Sequence, residues 1–222
     1  MIQQIKNTLD SYSKLCLIDI GYHKGHFTQD FLKLFSNFSR SNIKIIGVDP
    51  IDYGVILYDK FYNNAISSKE GDRNFFMYDE PGCNSLSEMN LENLTNKKDG
   101  DGWYCRYNIN RVGEKTIKAI TLEQVIKESN EDLIHFLKID TQGNDIDVIK
   151  SGDESINKVL FIQMESCVAK NESQLMYKNQ TTMQYDVEYM LSKNFKLIDY
   201  IDYSADAPPE ANLFFVNQGL IQ

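Results

Sequence analysis

Residues 15–18, Leu-Cys-Leu-Ile, form an unbroken apolar run, the pattern of a strand buried on both faces. Gly21 and Gly25 follow, and then Phe27, Phe31, Leu34, Phe35 and Phe38 recur at helical spacing. The stretch therefore reads as strand, tight loop and amphipathic helix. Apolar runs at 43–48, 134–139 and 159–164 repeat the theme and end at Asp49, Asp140 and Glu165. Thr121-Leu122-Glu123-Gln124 fits a capping box, which predicts a helix burying Leu122, Val125 and Ile126. Asn144 is placed to cap another helix through Ile149 that Gly152 ends, and a third carries Val187, Met190 and Leu191. Ile2, Ile5, Leu9 and Tyr12 predict a helix over 1–14 packed on the sheet. Residues 61–67 and 74–78 read as strands. So do 196–203 and 213–217, whose connector is too short for a crossover helix and requires an antiparallel pair at the sheet edge.

Strands alternating with helices define an α/β fold with a mostly parallel sheet of seven strands, helices on both faces and an antiparallel edge strand. In such a sheet the ligand crevice lies beyond the carboxyl ends of the strands, so Asp19, Asp49, Asp140 and Glu165 converge there. At 222 residues the chain suits one domain over 1–222.

The net charge of −9 disfavours a nucleic-acid partner, which needs clustered Lys and Arg. Cys16, Cys83, Cys105 and Cys167 show no metal-ligand spacing and read as reduced thiols, with Cys16 in the core and Cys83 and Cys105 flanking a long loop where a thiol can be exposed. No run reaches membrane-spanning length and no signal peptide opens the chain, so a cytoplasmic protein is expected. Residues 79–102, followed by Trp103 and Tyr104, read as a long polar loop that could act as a lid.

The glycines discriminate between cofactors. A dinucleotide site uses G-x-G-x-x-G, whereas here Tyr22, His23 and Lys24 separate Gly21 from Gly25, so the glycine that lets a pyrophosphate pass is absent. S-adenosylmethionine has no pyrophosphate, and Asp49 at the end of the second strand is placed to accept from both ribose hydroxyls. An NAD-linked oxidoreductase is the rival reading, and a sheet that has kept its binding site but lost its chemistry is another.

Several stretches carry a family resemblance: Ile18-Asp19-Ile20-Gly21-Tyr22-His23-Lys24-Gly25, Gly47-Val48-Asp49-Pro50, Asn64-Ala65-Ile66-Ser67, Ala119-Ile120-Thr121-Leu122-Glu123, Phe136-Leu137-Lys138-Ile139-Asp140-Thr141-Gln142-Gly143-Asn144-Asp145 and Asn212-Leu213-Phe214-Phe215-Val216-Asn217. In this order the chain resembles the FkbM family of S-adenosylmethionine-dependent methyltransferases. The resemblance implies a Rossmann-like class I methyltransferase fold and O-methylation, often of sugar hydroxyls in glycans or natural products. A small non-sugar metabolite or a lipid-linked intermediate is the alternative acceptor. The chain departs from the family at His23, where Asn is common, and at Gln142 and Asp145, where Glu is common or frequent.

The candidate cofactor contacts are Asp19, Gly21, His23, Gly25, Phe27, Thr28, Asp49, Ser67 and Asp140. Asp140 and Glu165 are the candidate catalytic carboxylates, Asp140 as the base that takes a hydroxyl proton. Asp145 is accounted for by the dipole of the helix it opens. No metal is expected.

Overall fold

The first apolar run becomes the strand from which the sheet grows. In the computed structural model, which describes residues 2–94, 109–169, 174–203 and 210–221, this strand is buried along its whole length. In chain order the elements are α1 (Ile2–Leu9), β1 (Leu15–Ile20), α2 (His26–Leu34), β2 (Ile43–Val48), β3 (Lys60–Tyr62), β4 (Ala65–Ile66), β5 (Gly71–Tyr78), α3 (Leu91–Leu94), β6 (Arg111–Ile120), α4 (Leu122–Ser129), β7 (Ile134–Ile139), α5 (Asp145–Lys150), β8 (Val159–Cys167), α6 (Met183–Ser192), β9 (Phe195–Asp202) and β10 (Glu210–Asn217). Among the described residues no helix is long and apolar enough to cross a membrane.

The period-two geometry of β1 feeds two cores. Leu15 and Leu17 pack with Ile5 and Leu9 of α1 and with Phe31 of α2. Cys16, Ile18 and Ile20 face the other way, against Val125 of α4, Val148 of α5 and Met190 of α6. Helices thus cover both faces, and both sides of each central strand must be apolar.

The large sheet has seven strands in the order β3-β2-β1-β7-β8-β10-β9. The five from β3 to β8 are parallel, and β10 runs antiparallel to both its neighbours. The antiparallel pair lies at the sheet edge as its short connector requires, with β9 outermost and the reversed strand β10 one place in. Thr121 caps α4 as its sequence predicts, accepting from the Gln124 N–H at 3.2 Å.

Two local readings differ, and one strand, β6, had no reading. The apolar stretch at 61–67 is two strands, because the chain breaks at Asn63 and Asn64: β3 joins the large sheet and β4 a small one of order β4-β6-β5. β6 carries no apolar period, since Ala119 is its only buried residue. Asn144 precedes α5 without capping it through its side chain, which instead bonds Ser85 Oγ and Ser87 Oγ at 2.8 Å each.

Cys16 and Cys167 are free and buried. Cys83 is also fully buried but disulfide-bonded, which corrects the expectation of a reduced, accessible thiol. Disulfides persist in oxidising compartments, so this bond weighs against the cytoplasmic expectation. Cys105, Trp103, Tyr104 and most of the proposed loop tip lie outside the described residues.

His135, early in β7, is a core histidine. Its Nδ1 accepts the Cys16 N–H at 3.0 Å, and the Tyr12 ring meets it edge-on at 4.6 Å. Burial pushes its pKa down to about 4 from an ordinary 6.5. A depressed histidine contributes stability that is complete above pH 6.5 and is lost as pH falls toward 4. His135→Gln should flatten the acid limb of the stability profile by up to about 3 kcal/mol, read by denaturant unfolding at neutral pH and near pH 4. Parallel wild-type and variant profiles would refute this.

Candidate functional site

The carboxyl ends of β1, β2 and β7 are stitched together by their own backbones. The Gly21 and Tyr22 N–H groups both donate to Val48 O, at 3.0 and 3.1 Å, and Asp140 N–H donates to Ile20 O at 3.1 Å. Gly21 has φ +73°, and a Cβ there would stand 1.8 Å from the Asp140 carbonyl oxygen. Only glycine lets the two strand ends approach this closely. Tyr22 is buried beneath the loop; its hydroxyl donates to Val55 O and accepts from Leu57 N–H, both at 3.2 Å, and its ring contacts Tyr58 and Phe61 edge-on.

This stitching leaves a cavity lined by Gly21, His23, Asp49, Asp140, Ile66 and Phe75, among others. His23 takes φ +48°, which aims its N–H at Asp49 Oδ2, 2.8 Å away, while Ile51 N–H donates to Oδ1 at 2.8 Å. The Asp49 carboxylate is thereby fixed on two sides. Burial pushes its pKa up to about 6 against the pull of those two N–H donors. The His23 ring stands edge-on to Tyr53 at 4.7 Å. Its Nε2 is buried with no hydrogen-bond partner among the described residues, and burial pulls its pKa down.

Asp19 is wholly buried, directly opposite Lys138 in the β1/β7 register. Its Oδ2 accepts from Thr28 Oγ1 at 2.7 Å, and its Oδ1 lies 3.3 Å from Lys138 Nζ. The same Nζ donates to Gly21 O at 2.9 Å and lies 3.5 Å from Asp140 Oδ2. Burial opposes the lysine's charge, but Asp19 and Asp140 outweigh it and raise its pKa. Lys138 therefore ties the glycine loop to the ends of β1 and β7. Sequence reading missed it, although a lysine inside an apolar strand is itself the signal of a buried partner.

Asp140 Oδ1 accepts from Gln142 Nε2 at 2.9 Å, and the same amide nitrogen lies 3.4 Å from Glu165 Oε2. Glu165 is half-buried, and burial, with the charges of Glu210, Asp140 and Asp145, holds its pKa well above the usual carboxylate range. Asp145 does more than answer a helix dipole: it is buried, accepts from the Glu165 N–H at 3.3 Å and from Thr141, and burial followed by Asp140 pushes its pKa to about 7.

Of the sequence candidates, Gly21, His23, Asp49 and Asp140 line the cavity, and Glu165 adjoins it through Gln142. The others stand elsewhere. Phe27 stacks on Phe136 at 5.6 Å in the α2-side core, because its place in the helical stripe turns it to that face. Asp19 and Thr28 form a buried support beneath the loop. Gly25 turns the loop, donating to Tyr22 O at 2.7 Å. Ser67 donates to Asp147 Oδ2 at 2.9 Å, so its hydroxyl anchors the small sheet to α5.

A family model described as the methyltransferase FkbM domain matches residues 19–199. Among solved structures, a protein in the NADB-Rossmann superfamily from Streptococcus agalactiae aligns with TM-score 0.43 and 8% identity over 97% of this chain and 67% of its own. A SAM-dependent methyltransferase from Leishmania major gives 0.43 and 9%, over 96% and 70%. The 1,6-didemethyltoxoflavin-N1-methyltransferase of Burkholderia thailandensis, with 1,6-didemethyltoxoflavin and S-adenosylhomocysteine bound, gives 0.42 and 10%, over 97% and 77%. No curated protein matches the chain at a significant level.

Lys138→Met strands the Asp19 carboxylate in the core and should cost about 3–5 kcal/mol of unfolding free energy. Adding Asp19→Asn should restore part of that loss, because the uncompensated charge is gone. Denaturant titration of the wild type, the single variant and the double variant measures both effects; a single variant as stable as wild type contradicts the tie.

Proposed function

Since this chain belongs to the FkbM family of S-adenosylmethionine-dependent methyltransferases, we propose that it works as a single domain that methylates a hydroxyl oxygen, with a sugar in a glycan or glycosylated metabolite as the acceptor. The supporting observation is the convergence of Gly21, Asp49 and Asp140 on one cavity at the carboxyl ends of three parallel strands.

The residues present fit the cofactor. Each Asp49 oxygen accepts one backbone N–H and keeps a lone pair for a ribose hydroxyl. His23 Nε2, buried without a partner among the described residues, is a polar contact for the methionine end, in place of the family's usual Asn. Ile66 and Phe75 supply apolar wall for the base. When bound, S-adenosylmethionine supplies an electrophilic methyl group on a sulfonium.

This chain's own work is then to position the acceptor and move a proton. A hydroxyl oxygen is a weak nucleophile while protonated, so Asp140, on the cavity wall, accepts that proton as the new bond forms. Glu165 binds acceptor hydroxyls beside it. Carboxylates and a carboxamide side by side suit the dense hydroxyls of a carbohydrate, which supports a sugar over an apolar acceptor.

Asp49→Ala should weaken S-adenosylmethionine binding about 10–100-fold by calorimetry, the loss of a charge-assisted hydrogen-bond pair. Because burial raises the Asp49 pKa to about 6 and the ribose needs the ionised form, wild-type affinity should be full above that pH and decline below it. A flat pH profile, or NAD binding in place of S-adenosylmethionine, overturns the cofactor assignment.

Asp140→Asn should keep cofactor affinity and lose about 10²–10⁴-fold in transfer. Labelled methyl transfer to panels of nucleotide sugars and glycans checks this. Labelling confined to non-sugar metabolites would replace the acceptor class, and an undiminished Asp140→Asn would remove it as the base.

A further inference from the structure

Gln142 holds a backbone that few residues other than glycine or asparagine adopt, φ +57°, where a turn alone would favour one of those two. Its side chain shows what holds it there. The amide nitrogen reaches Asp140 Oδ1 at 2.9 Å and Glu165 Oε2 at 3.4 Å. The amide oxygen accepts from the Tyr177 hydroxyl at 2.9 Å, and that hydroxyl also lies 3.1 Å from Cys83 O. Tyr177 is fully buried, and its ring fills the space beside Gly143, where a Cβ would approach it to 2.8 Å.

Chemistry fixes the amide's orientation. A carboxylate only accepts, so the reversed amide would set oxygen against both carboxylates; the amide oxygen is thereby left facing the Tyr177 hydroxyl, whose one proton it shares with Cys83 O. The amide's two N–H protons then serve one oxygen of Asp140 and one of Glu165. Among the described residues Glu165 Oε1 has no hydrogen-bond partner, and Asp140 Oδ2 meets only Lys138.

We propose that Gln142, oriented by Tyr177, is the positioning residue of the acceptor side: it yokes Asp140 and Glu165 through one oxygen each and leaves their other oxygens for the acceptor. This deepens the function proposed above and rests on it for the words "acceptor side". The yoke itself can be tested without an acceptor.

The groups facing the pair are Lys138 on β7, Asp145 on α5, Glu210 on β10 and Tyr177. In the full chain, carbon-detected NMR titration of Asp and Glu carboxyls, assigned with Asp140→Asn and Glu165→Gln, reads their midpoints directly. Gln142→Met keeps the length and removes the donor, so both midpoints should rise. Tyr177→Phe removes the orienting proton, and both should rise by less. A purely space-filling Gln142 would leave the midpoints of a folded Gln142→Met unchanged, and that result overturns the proposal. If Gln142→Met fails to fold, Tyr177→Phe decides by the same criterion. Unaltered titrations with active transfer refute the yoke alone, whereas shifted titrations with no transfer to any sugar refute only the acceptor reading.

Discussion

A single buried ammonium group holds the site together. Lys138 Nζ stands between Asp19 and Asp140 and donates to the carbonyl of Gly21, so one charge touches the end of β1, the glycine loop and the end of β7. An ion pair in a dry interior persists only when its remaining hydrogen-bonding capacity is also met. Here the Thr28 hydroxyl supplies Asp19, and the loop carbonyl occupies the lysine. The glycine at 21 follows from this arrangement, since the lysine draws two strand ends into a separation that excludes a side chain.

The same cation leaves the neighbouring acids unevenly treated. Asp140 has it at 3.5 Å. Asp145 and Glu165 lie deeper among other carboxylates, and burial raises both well above the usual range. Burial and the neighbouring charges thus disfavour the ionised form of both Asp145 and Glu165.

The parts legible in the sequence were those where burial imposes composition. β1, β2, β7 and β8 are covered on both faces, so their apolar runs mark them, and the acids at their ends fall where the crevice must be. β6 escaped because Ala119 is its one fully buried residue, so no apolar run marks it. Phe27 was misplaced because position along a helix does not by itself say which face meets the ligand; its stacking on Phe136 does. Ser67 follows Ile66, which does line the cavity, but its hydroxyl is committed to Asp147 of α5, a contact that no local pattern announces. The Gln142–Tyr177 contact joins residues far apart in the chain, and no local pattern carries it.

Tyr22 has a consequence of its own. No helix connects β2 to β3, and residues 49–59 are instead seated on the Tyr22 hydroxyl through Val55 and Leu57, with Tyr58 and Phe61 against its ring. The segment that carries Tyr53 to the cavity is therefore keyed to the phenol of the glycine loop. A segment transplanted here without a phenol at position 22 would lose both hydrogen bonds that seat it.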